Sequence, residues 1–260
     1  MGKVGLDPYA EQRTLSQTMR GKIYRTNNCG NVVVLNYYSA LNITVQFVNT
    51  GNIKKVRRSA LESGKVADKE SYLIQGVGYI GHGSYSWKTH FEIHNRWTAM
   101  LNRCYDPKSL AQNPAYIDCS VCAEWLNFQN FAKWFEENAN NPFYEIDKDV
   151  VDKHSRLYSP TTCILLPKII NQIFVKRKSK RGELPIGVSW NRNKTGFVAR
   201  LSNKFGFKTH LGTFNDSHEA FMAYKVAKEK LIKYAANQFK DELSERAYKA
   251  LMDYQVDITD

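Results

Sequence analysis

A chain of 260 residues with 43% hydrophobic and 13% aromatic residues has the composition of a globular protein with one to three domains. The sequence has no run of about eighteen apolar residues and no apolar segment near its start, so it predicts neither a transmembrane helix nor a signal peptide and favours a cytoplasmic protein. The formal net charge of +12 favours a polyanionic partner, because each neutralised phosphate releases condensed counterions.

The five cysteines are too few and too scattered for a disulfide framework in a chain of this length. Only Cys119 and Cys122 have the spacing of metal ligands. A structural zinc site would need two further ligands, for which Cys104 and Cys163 are the candidates. The sequence favours the other interpretation, in which the cysteines are small buried thiols.

Residues 1–70 predict a polar arm followed by a small sheet. Residues 1–19 are polar and show no pattern, so we expect a loose arm. Residues 20–70 contain four strand-like runs separated by turns rich in Asn and Gly, which lie at Lys22–Arg25, Asn31–Tyr37, Ile43–Val48 and Ile53–Arg58. Their spacing predicts a small closed or half-open β-barrel, and the segment resembles small barrels of the Tudor or KOW type. The basic run at Lys54–Arg58 either contacts phosphate or is a solvated strand edge.

Residues 71–88 contain several glycines and no sustained periodicity, which predicts a linker. Residues 89–175 then begin with two amphipathic helices, His90–Tyr105 and Glu124–Asn138. The apolar stripes of these helices comprise Ile93, Trp97, Met100, Leu101 and Cys104 in the first and Trp125, Phe128, Phe131, Ala132 and Phe135 in the second. The following pattern predicts a strand at Tyr144–Val151, a loop at Asp152–Pro160, a strand at Thr162–Leu166 and a short helix opened by Pro167.

The order of the segments "RCY", "VCAEW", "IDKD" and "YSPTTC" between Trp97 and Phe174 resembles a group of phage and mobile-element proteins related to HNH, or His-Me finger, endonucleases. The resemblance implies a β-hairpin packed on a helix that holds one divalent metal, for which we expect Mg²⁺. It also implies that an imidazole on the first strand activates water and that an Asn or His on the helix binds the metal. Asn171 matches that helix ligand.

The first strand of this chain departs from the family pattern, since Asp147, Lys148 and Asp149 stand where the catalytic His is usual. By position, Asp147 is the first candidate for the base or a metal ligand, and Asp149 is the second. A carboxylate needs an upward pKa shift to serve as a base near neutral pH. His154 in the loop and His94 on the first helix are alternative bases. A surface strand with local ion pairs is the competing structural interpretation.

Positive charge is concentrated between Lys176 and Lys208, where ten basic residues occur with one acidic residue, Glu183. Five of these cations lie within the first six residues, in the segment 176–184, which predicts either a linker that tracks phosphate or a flexible charged tether. The segment 240–260 is acidic instead. We expect it to form a helix that packs back on the protein without contacting DNA.

Residues 185–239 predict an antiparallel meander of three strands. The strands lie at Ile186–Asn191, Gly196–Ser202 and Phe207–Phe214, and the loops between them have the lengths and residues of hairpin turns. The middle strand alternates apolar residues with residues that include Arg200. One face should therefore be apolar and the other should carry Arg200.

A capped amphipathic helix follows these strands. Asp216 is the expected N-cap, and Glu219 stands at the spacing of a capping box. Ala220, Ala223, Tyr224, Ala227 and Leu231 recur at helical spacing and predict the side that covers the apolar face of the sheet.

The segments "GVSW", "GFVARL" and "THLGTFNDSHEAFMAYKVA" resemble the plant ethylene-response-factor (Apetala-type) DNA-binding domain, which is also found fused to phage and mobile-element nucleases. The resemblance implies that outward strand positions contact double-stranded DNA. With the basic residues of the loops, the predicted DNA-binding residues are Ser189, Trp190, Arg192, Lys194, Arg200, Ser202, Lys204, Lys208 and His210. Ser189 and Ser202 stand where the family commonly has arginine, so the family's site preference does not transfer directly.

The sequence thus predicts an α+β protein with a small barrel (20–70), a nuclease core (89–175) and a DNA-binding domain (185–239). The predicted activity is metal-assisted hydrolysis of double-stranded DNA, either as a nicking enzyme or as a homodimer that cuts both strands. One alternative is a DNA-binding protein without catalysis, which acts as a regulator or as an antagonist of a host nuclease. Another is a protein that binds a host protein partner. For a phage-encoded chain the expected location is the host cytoplasm.

Overall fold

The computed structural model of the chain describes residues 10–139, 141–175 and 182–260. These residues form two compact units, one of residues up to Ser86 together with Trp125–Gln129, and one of Trp87–Glu124 together with Asn130–Asp260. Helices and small sheets occur in both units, which confirms the α+β class. The start of the predicted arm, at 1–9, and the cations of the segment 176–181 lie outside the described residues.

The first unit is built on a four-stranded antiparallel sheet in the order β1-β2-β3-β4. Its elements are α1 (Ala10–Met19), β1 (Ile23–Arg25), β2 (Asn31–Ser39), β3 (Asn42–Phe47), β4 (Ile53–Val56) and α2 (Arg58–Glu62). All four predicted strands are present. The helix α1 was not expected, because its segment has no clear apolar stripe in the sequence.

This sheet is open, so the closed form of the predicted β-barrel is not supported. Within the described chain, β1 pairs with β2 and β4 pairs with β3, and no pairing joins β1 to β4. Regular spacing of strands and turns predicts a meander, but closure also requires strand tilt and stagger that spacing does not specify. The core is closed by helical residues instead, since Met19 and Leu61 pack with Val45 in one buried cluster.

The second unit begins with the two predicted amphipathic helices. Its first elements are α3 (Phe91–Tyr105), α4 (Pro107–Gln112), β5 (Ser120–Val121) and α5 (Phe128–Asn138). The first two residues of α5, Phe128 and Gln129, are assigned to the first unit. The predicted apolar stripe of α3 is buried, and so are Phe131, Ala132 and Phe135 of α5. The first helix and both core faces are therefore confirmed, but the second helix begins at Phe128 and not at Glu124, because Ala123–Leu126 forms a separate 3-10 turn that contains the buried Trp125.

Two short strands and a short helix follow, as the sequence predicts for residues 144–171. The elements are β6 (Glu145–Asp147), β7 (Leu157–Tyr158), β8 (Ile164–Leu166) and α6 (Lys168–Asn171). β6 pairs antiparallel with β8, and α6 contacts β6. We call β6, β8 and α6 the ββα element. The strand β7 lies inside the segment predicted as a loop, where it pairs in parallel with β5.

The last part of the second unit contains the predicted meander and its helix. The elements are β9 (Val188–Trp190), β10 (Phe197–Arg200), β11 (His210–Phe214), α7 (Ser217–Gln238) and α8 (Glu245–Asp253). Asp216 caps α7 as predicted, because its Oδ1 accepts hydrogen bonds from the backbone N–H groups of His218 at 2.8 Å and Glu219 at 3.0 Å. The helix α8 confirms the helix expected in the acidic segment.

The ββα element and the C-terminal sheet share one hydrophobic core. Leu166 and Ile170 of the ββα element belong to the same buried cluster as Ala199 of β10, Leu231 of α7 and Leu251 of α8. Gly187, with φ of +78°, lies so close to the ring of Tyr224 that a Cβ there would meet the ring at 2.0 Å. This packing holds the sheet and the ββα element in a fixed arrangement.

Candidate functional site

The pairing of β9, β10 and β11 assigns each strand residue to one face of the C-terminal sheet. Directly opposed residues of antiparallel strands project to the same side. Phe197 stands opposite Trp190 and Phe214, and Ala199 stands opposite Val188. Since Ala199 and Val188 are buried in the core that contains α7, this is the helix-facing side.

The remaining residues form the opposite side, which we call the outer sheet face. Val198 is paired with Ser189 and Thr213, and Arg200 is paired with His210 across a register shift. Arg200, His210 and Thr213 are exposed to solvent. The structure thus brings Arg200 and His210 side by side, as expected for two of the predicted DNA contacts.

The hairpin loop between β9 and β10 is organised by Asn191. Its Oδ1 accepts from the Thr195 backbone N–H at 2.9 Å, and its Nδ2 donates to the Thr195 hydroxyl at 3.0 Å. Lys194 adopts a left-handed backbone with φ of +56° in this turn. Arg192 and Lys194 are exposed in this loop.

Asn203 has the same role in the loop between β10 and β11. Its Oδ1 accepts from the backbone N–H groups of Phe205 and Phe207, both at 3.0 Å. Lys204, Lys208 and Ser202 are exposed around this loop, so the predicted residues of both loops are accessible. Sequence reasoning missed the two asparagines, although Asn in a short turn is a recognised signal for such side-chain bonds.

The outer sheet face and its two loops have uncompensated positive charge. The segment from Pro185 to Phe214 has no Asp or Glu. Its basic residues are Arg192, Lys194, Arg200, Lys204 and Lys208. Within the described parts of the chain, none of these five cations forms an ion pair with a carboxylate. The surface is therefore suited to a polyanion.

Trp190 does not lie on the outer sheet face. Its ring packs against that of Phe197, with the centroids 4.4 Å apart, on the helix-facing side, and its side chain remains 49% exposed. Successive residues of a strand point to opposite faces, so Ser189 and Trp190 cannot both project outward. The structure therefore removes Trp190 from the set of outward strand positions.

In the ββα element, Asp147 closes the turn that follows β6. Its Oδ1 accepts from the backbone N–H groups of Asp149 at 2.8 Å and Val150 at 2.9 Å. Burial raises the pKa of this carboxyl, and the negative charge of Asp149 acts in the same direction, while the two amide hydrogen bonds and Lys148 oppose the shift. The direction is the one that a carboxylate base requires.

Lys148 is buried between the two acidic residues, with 5% of its surface exposed. Its Nζ lies 2.5 Å from Oδ1 of Asp149 and 5.9 Å from the centroid of the Tyr158 ring. The ion pair agrees with the competing interpretation of the sequence, but the burial of Lys148 does not agree with the surface strand that this interpretation assumed. Alternating strand patterns gave no signal for a buried lysine here.

The other predicted catalytic residues are spread around the unit. Asn171 is half-buried at the end of α6, on the element that contacts β6, and its side chain forms no hydrogen bond with the described residues. His154 is exposed in the loop after β6, and its backbone N–H donates to Asp152. His94 is half-buried on α3, where burial lowers its pKa.

The cysteines do not assemble into the zinc site that the spacing of Cys119 and Cys122 left open. Across the described residues, no group of three or more His, Cys, Asp or Glu side chains is arranged to hold a metal ion. Cys104 and Cys163 are buried, and burial raises the pKa of each thiol to about 12. This environment is that of small buried thiols.

Comparison of the chain with family models, curated proteins and solved structures finds no match. In the described parts of the chain, no helix has the length and apolar character needed to cross a membrane. The candidate sites therefore rest on their own geometry, namely the cationic outer sheet face and the turn at Asp147.

Proposed function

We propose that this protein binds double-stranded DNA through the outer sheet face. The observation that carries the proposal is the set of exposed cations on this face and its loops, which have no carboxylate partner in the described chain. An antiparallel ribbon fits the major groove of DNA, where Arg reaches the acceptors of guanine. Arg200 occupies the middle strand of the ribbon and is the expected base contact.

The loop cations have a different expected role. Arg192 and Lys194 extend from one end of the ribbon, and Lys204 and Lys208 belong to the loop that joins β10 to β11. Phosphate contacts at such positions fix the register and orientation of a protein on the duplex, while base contacts provide specificity. The asparagine-bonded turns and the core under α7 keep these groups in place before DNA binds, which reduces the entropy lost on binding.

The test compares two double variants of the full chain in a fluorescence anisotropy titration with duplex DNA. Arg200→Ala with Lys194→Ala removes two cations from the outer sheet face. Lys230→Ala with Lys233→Ala removes two exposed cations from α7 and is the matched control. We expect the first variant to bind duplex DNA at least about tenfold more weakly. The slope of the logarithm of the binding constant against the logarithm of the salt concentration should fall by about one unit for each phosphate contact that is lost. Equal losses in both variants would contradict the proposal.

A second candidate function is metal-assisted hydrolysis of the bound DNA at the ββα element. The specific observation in its favour is that α6 contacts β6, so Asn171 and Asp147 belong to adjoining elements, and the pKa of Asp147 is raised. Mg²⁺ is usually bound through one or two carboxylates, with water and substrate phosphate as the remaining ligands. Asp147 would supply that carboxylate through Oδ2, which the turn does not use, and Asn171 would add an amide oxygen. When bound, the ion would stabilise charge on the leaving oxygen.

A nicking assay on supercoiled plasmid with Mg²⁺ or Mn²⁺ tests this second function. Asp147→Asn keeps an Oδ1 acceptor for the turn while it removes the carboxylate, so it separates structure from chemistry. We expect Asp147→Asn and Asn171→Ala each to abolish nicking. Both variants should keep the duplex affinity of the unmodified protein. Asp152→Asn makes the same change in a neighbouring exposed turn and should leave nicking intact. Tight binding without nicking by the unmodified protein would leave DNA binding as the sole function.

A further inference from the structure

The N-terminal sheet also has an open face, formed by the side chains that point away from its core. The pairing places Ile23, Val33, Gln46 and Ile53 in one row across the four strands. The core side chains of the same strands are buried, and they are Val32, Val34, Ile43, Val45 and Phe47. The row with Ile23 therefore lies on the side opposite the core, which we call the open N-terminal face.

Apolar and aromatic groups are exposed on this open N-terminal face. Ile23 is 64% exposed, Ile53 is 63% exposed and Tyr38 is 53% exposed. Tyr38 lies at the register shift between Tyr37 and Ser39, two residues after Asn36, which is aligned with Thr44 in the row next to that of Ile23. Ile23 and Ile53 stand at the two edges of their row, and Tyr38 adds an exposed aromatic ring beside it on which a planar group can stack.

Cations surround the apolar patch. Lys55 is aligned with Thr44 and Asn36 in the row next to Ile53. Arg57 comes two residues after Lys55 with an extended backbone, at φ of −88° and ψ of 151°, so it projects to the same side. Arg25, at the opposite edge of the sheet, is two residues from Ile23 and shares its side. All three cations are exposed.

The carboxylates described in this unit are engaged elsewhere. The four strands have no Asp or Glu. Glu62 pairs with Arg58 at 2.7 Å, and Asp68 is buried, where it accepts a hydrogen bond from Asn52 at 3.1 Å. Glu70 accepts from Asn52 at 2.9 Å. Among the side chains that the structure describes in this unit, from Thr14 onward, the cations of the open N-terminal face have no carboxylate partner.

The combination of stacking groups and uncompensated cations indicates the ligand. Proteins bind single-stranded nucleic acid by stacking bases on aromatic side chains while cations track the backbone, and neighbouring apolar side chains can contact the exposed faces of the bases. A duplex buries the faces of its bases, so it would gain little from Tyr38 and the isoleucines. We propose that the open N-terminal face binds single-stranded DNA. This proposal does not depend on duplex binding by the outer sheet face.

The test is a fluorescence anisotropy titration of the full chain with a labelled mixed-sequence single strand of about 16 nucleotides. Lys55→Glu with Arg57→Glu should weaken binding by about tenfold or more and reduce the salt slope, and Tyr38→Ala should weaken it by about fivefold. The matched controls are Lys65→Glu with Lys69→Glu and Tyr72→Ala, which alter exposed residues of the same unit outside its strands. Circular dichroism melting checks that each variant is folded.

The outcomes separate the two proposed surfaces. Binding that falls only in the open-face variants supports the proposal, and it should persist in Arg200→Ala with Lys194→Ala. Loss that is equal in the controls would overturn it, as would single-strand binding that disappears only when Arg200 and Lys194 are changed. A protein with no affinity for the single strand at low salt would also refute it. Failure of duplex binding alone would leave this inference standing.

Discussion

The two larger antiparallel sheets of this chain, β1–β4 and β9–β11, both leave one face open and basic, but the residues between the cations differ. The open N-terminal face presents Ile23 and Ile53 with Tyr38 beside them, whereas the outer sheet face of the C-terminal sheet presents Thr213 and His210 beside Arg200. Positive charge alone attracts any nucleic acid. The groups between the charges indicate its form, since apolar surfaces suit unpaired bases and polar groups suit the edges of paired bases.

The two sheets also differ in how they are stabilised. The N-terminal sheet has a nine-residue strand, β2, and builds its core largely from its own strands. The strands of the C-terminal sheet have three to five residues, and its core depends on side chains of α6, α7 and α8. A given substitution in a strand should therefore cost more stability in the N-terminal sheet.

The largest expected effect comes from the same substitution made in both sheets. Phe47→Ala removes a side chain that is 1% exposed and should lower the free energy of unfolding by about 3–5 kcal/mol. Phe197→Ala removes a half-buried ring and should cost about 1–2 kcal/mol, because less apolar area is lost from the core. Urea denaturation followed by circular dichroism measures both losses. Equal losses would mean that the two sheets do not differ in this way.

The next effect concerns Lys228 of α7, which is 9% exposed and donates from Nζ to the carbonyl of Ile173 at 2.5 Å. Burial lowers its pKa to about 8, against a smaller opposing influence of Asp260. The pKa returns to about 10.5 on unfolding, so between these values the unfolded chain binds more protons than the folded chain. The free energy of unfolding should therefore rise as pH rises through this window, by about 2–3 kcal/mol.

Lys228→Met provides the control for this prediction. The variant retains the volume of the side chain but cannot titrate, so the additional rise in stability should disappear. Urea denaturation across the pH window in both proteins gives the comparison. An identical dependence on pH in the two proteins would show that Lys228 retains an ordinary pKa in the folded state.

The smallest effect distinguishes the two sides of the C-terminal sheet. Trp190→Ala removes a half-exposed ring that packs on Phe197 on the helix-facing side. It should lower the free energy of unfolding by about 1 kcal/mol and change duplex affinity by less than about twofold. Arg200→Ala should have the opposite profile, with weaker binding and unchanged stability. A large loss of duplex affinity in Trp190→Ala would return this residue to the DNA-binding set.

Elements with strong periodicity were predictable from the sequence. The stripe of α3 around Trp97, the four N-terminal strands and the cap of α7 at Asp216 all follow from local patterns. The location of the cationic face followed from the alternation around Arg200. Applied to the neighbouring strand β9, the same alternation would have assigned Trp190 to the helix-facing side together with Val188.

Features that depend on tertiary packing were not predictable. The two-residue strands β5 and β7 are too short to have a pattern, and their pairing brings Val121 beside Tyr158 across a long stretch of chain. The burial of Lys148 depends on a neighbour that is more distant in sequence, since its Nζ lies 5.9 Å from the centroid of the Tyr158 ring. Whether four strands close into a barrel is likewise decided by twist and stagger and not by spacing.

The most direct test of DNA binding by the outer sheet face is hydrogen–deuterium exchange of the full chain with and without duplex DNA. The account predicts slower exchange in β9, β10 and β11 and in the loops that contain Lys194 and Lys208, with the exposed side of α7 unchanged. The account would be contradicted if exchange slowed only in other segments, or if no segment exchanged more slowly at a saturating concentration of duplex DNA.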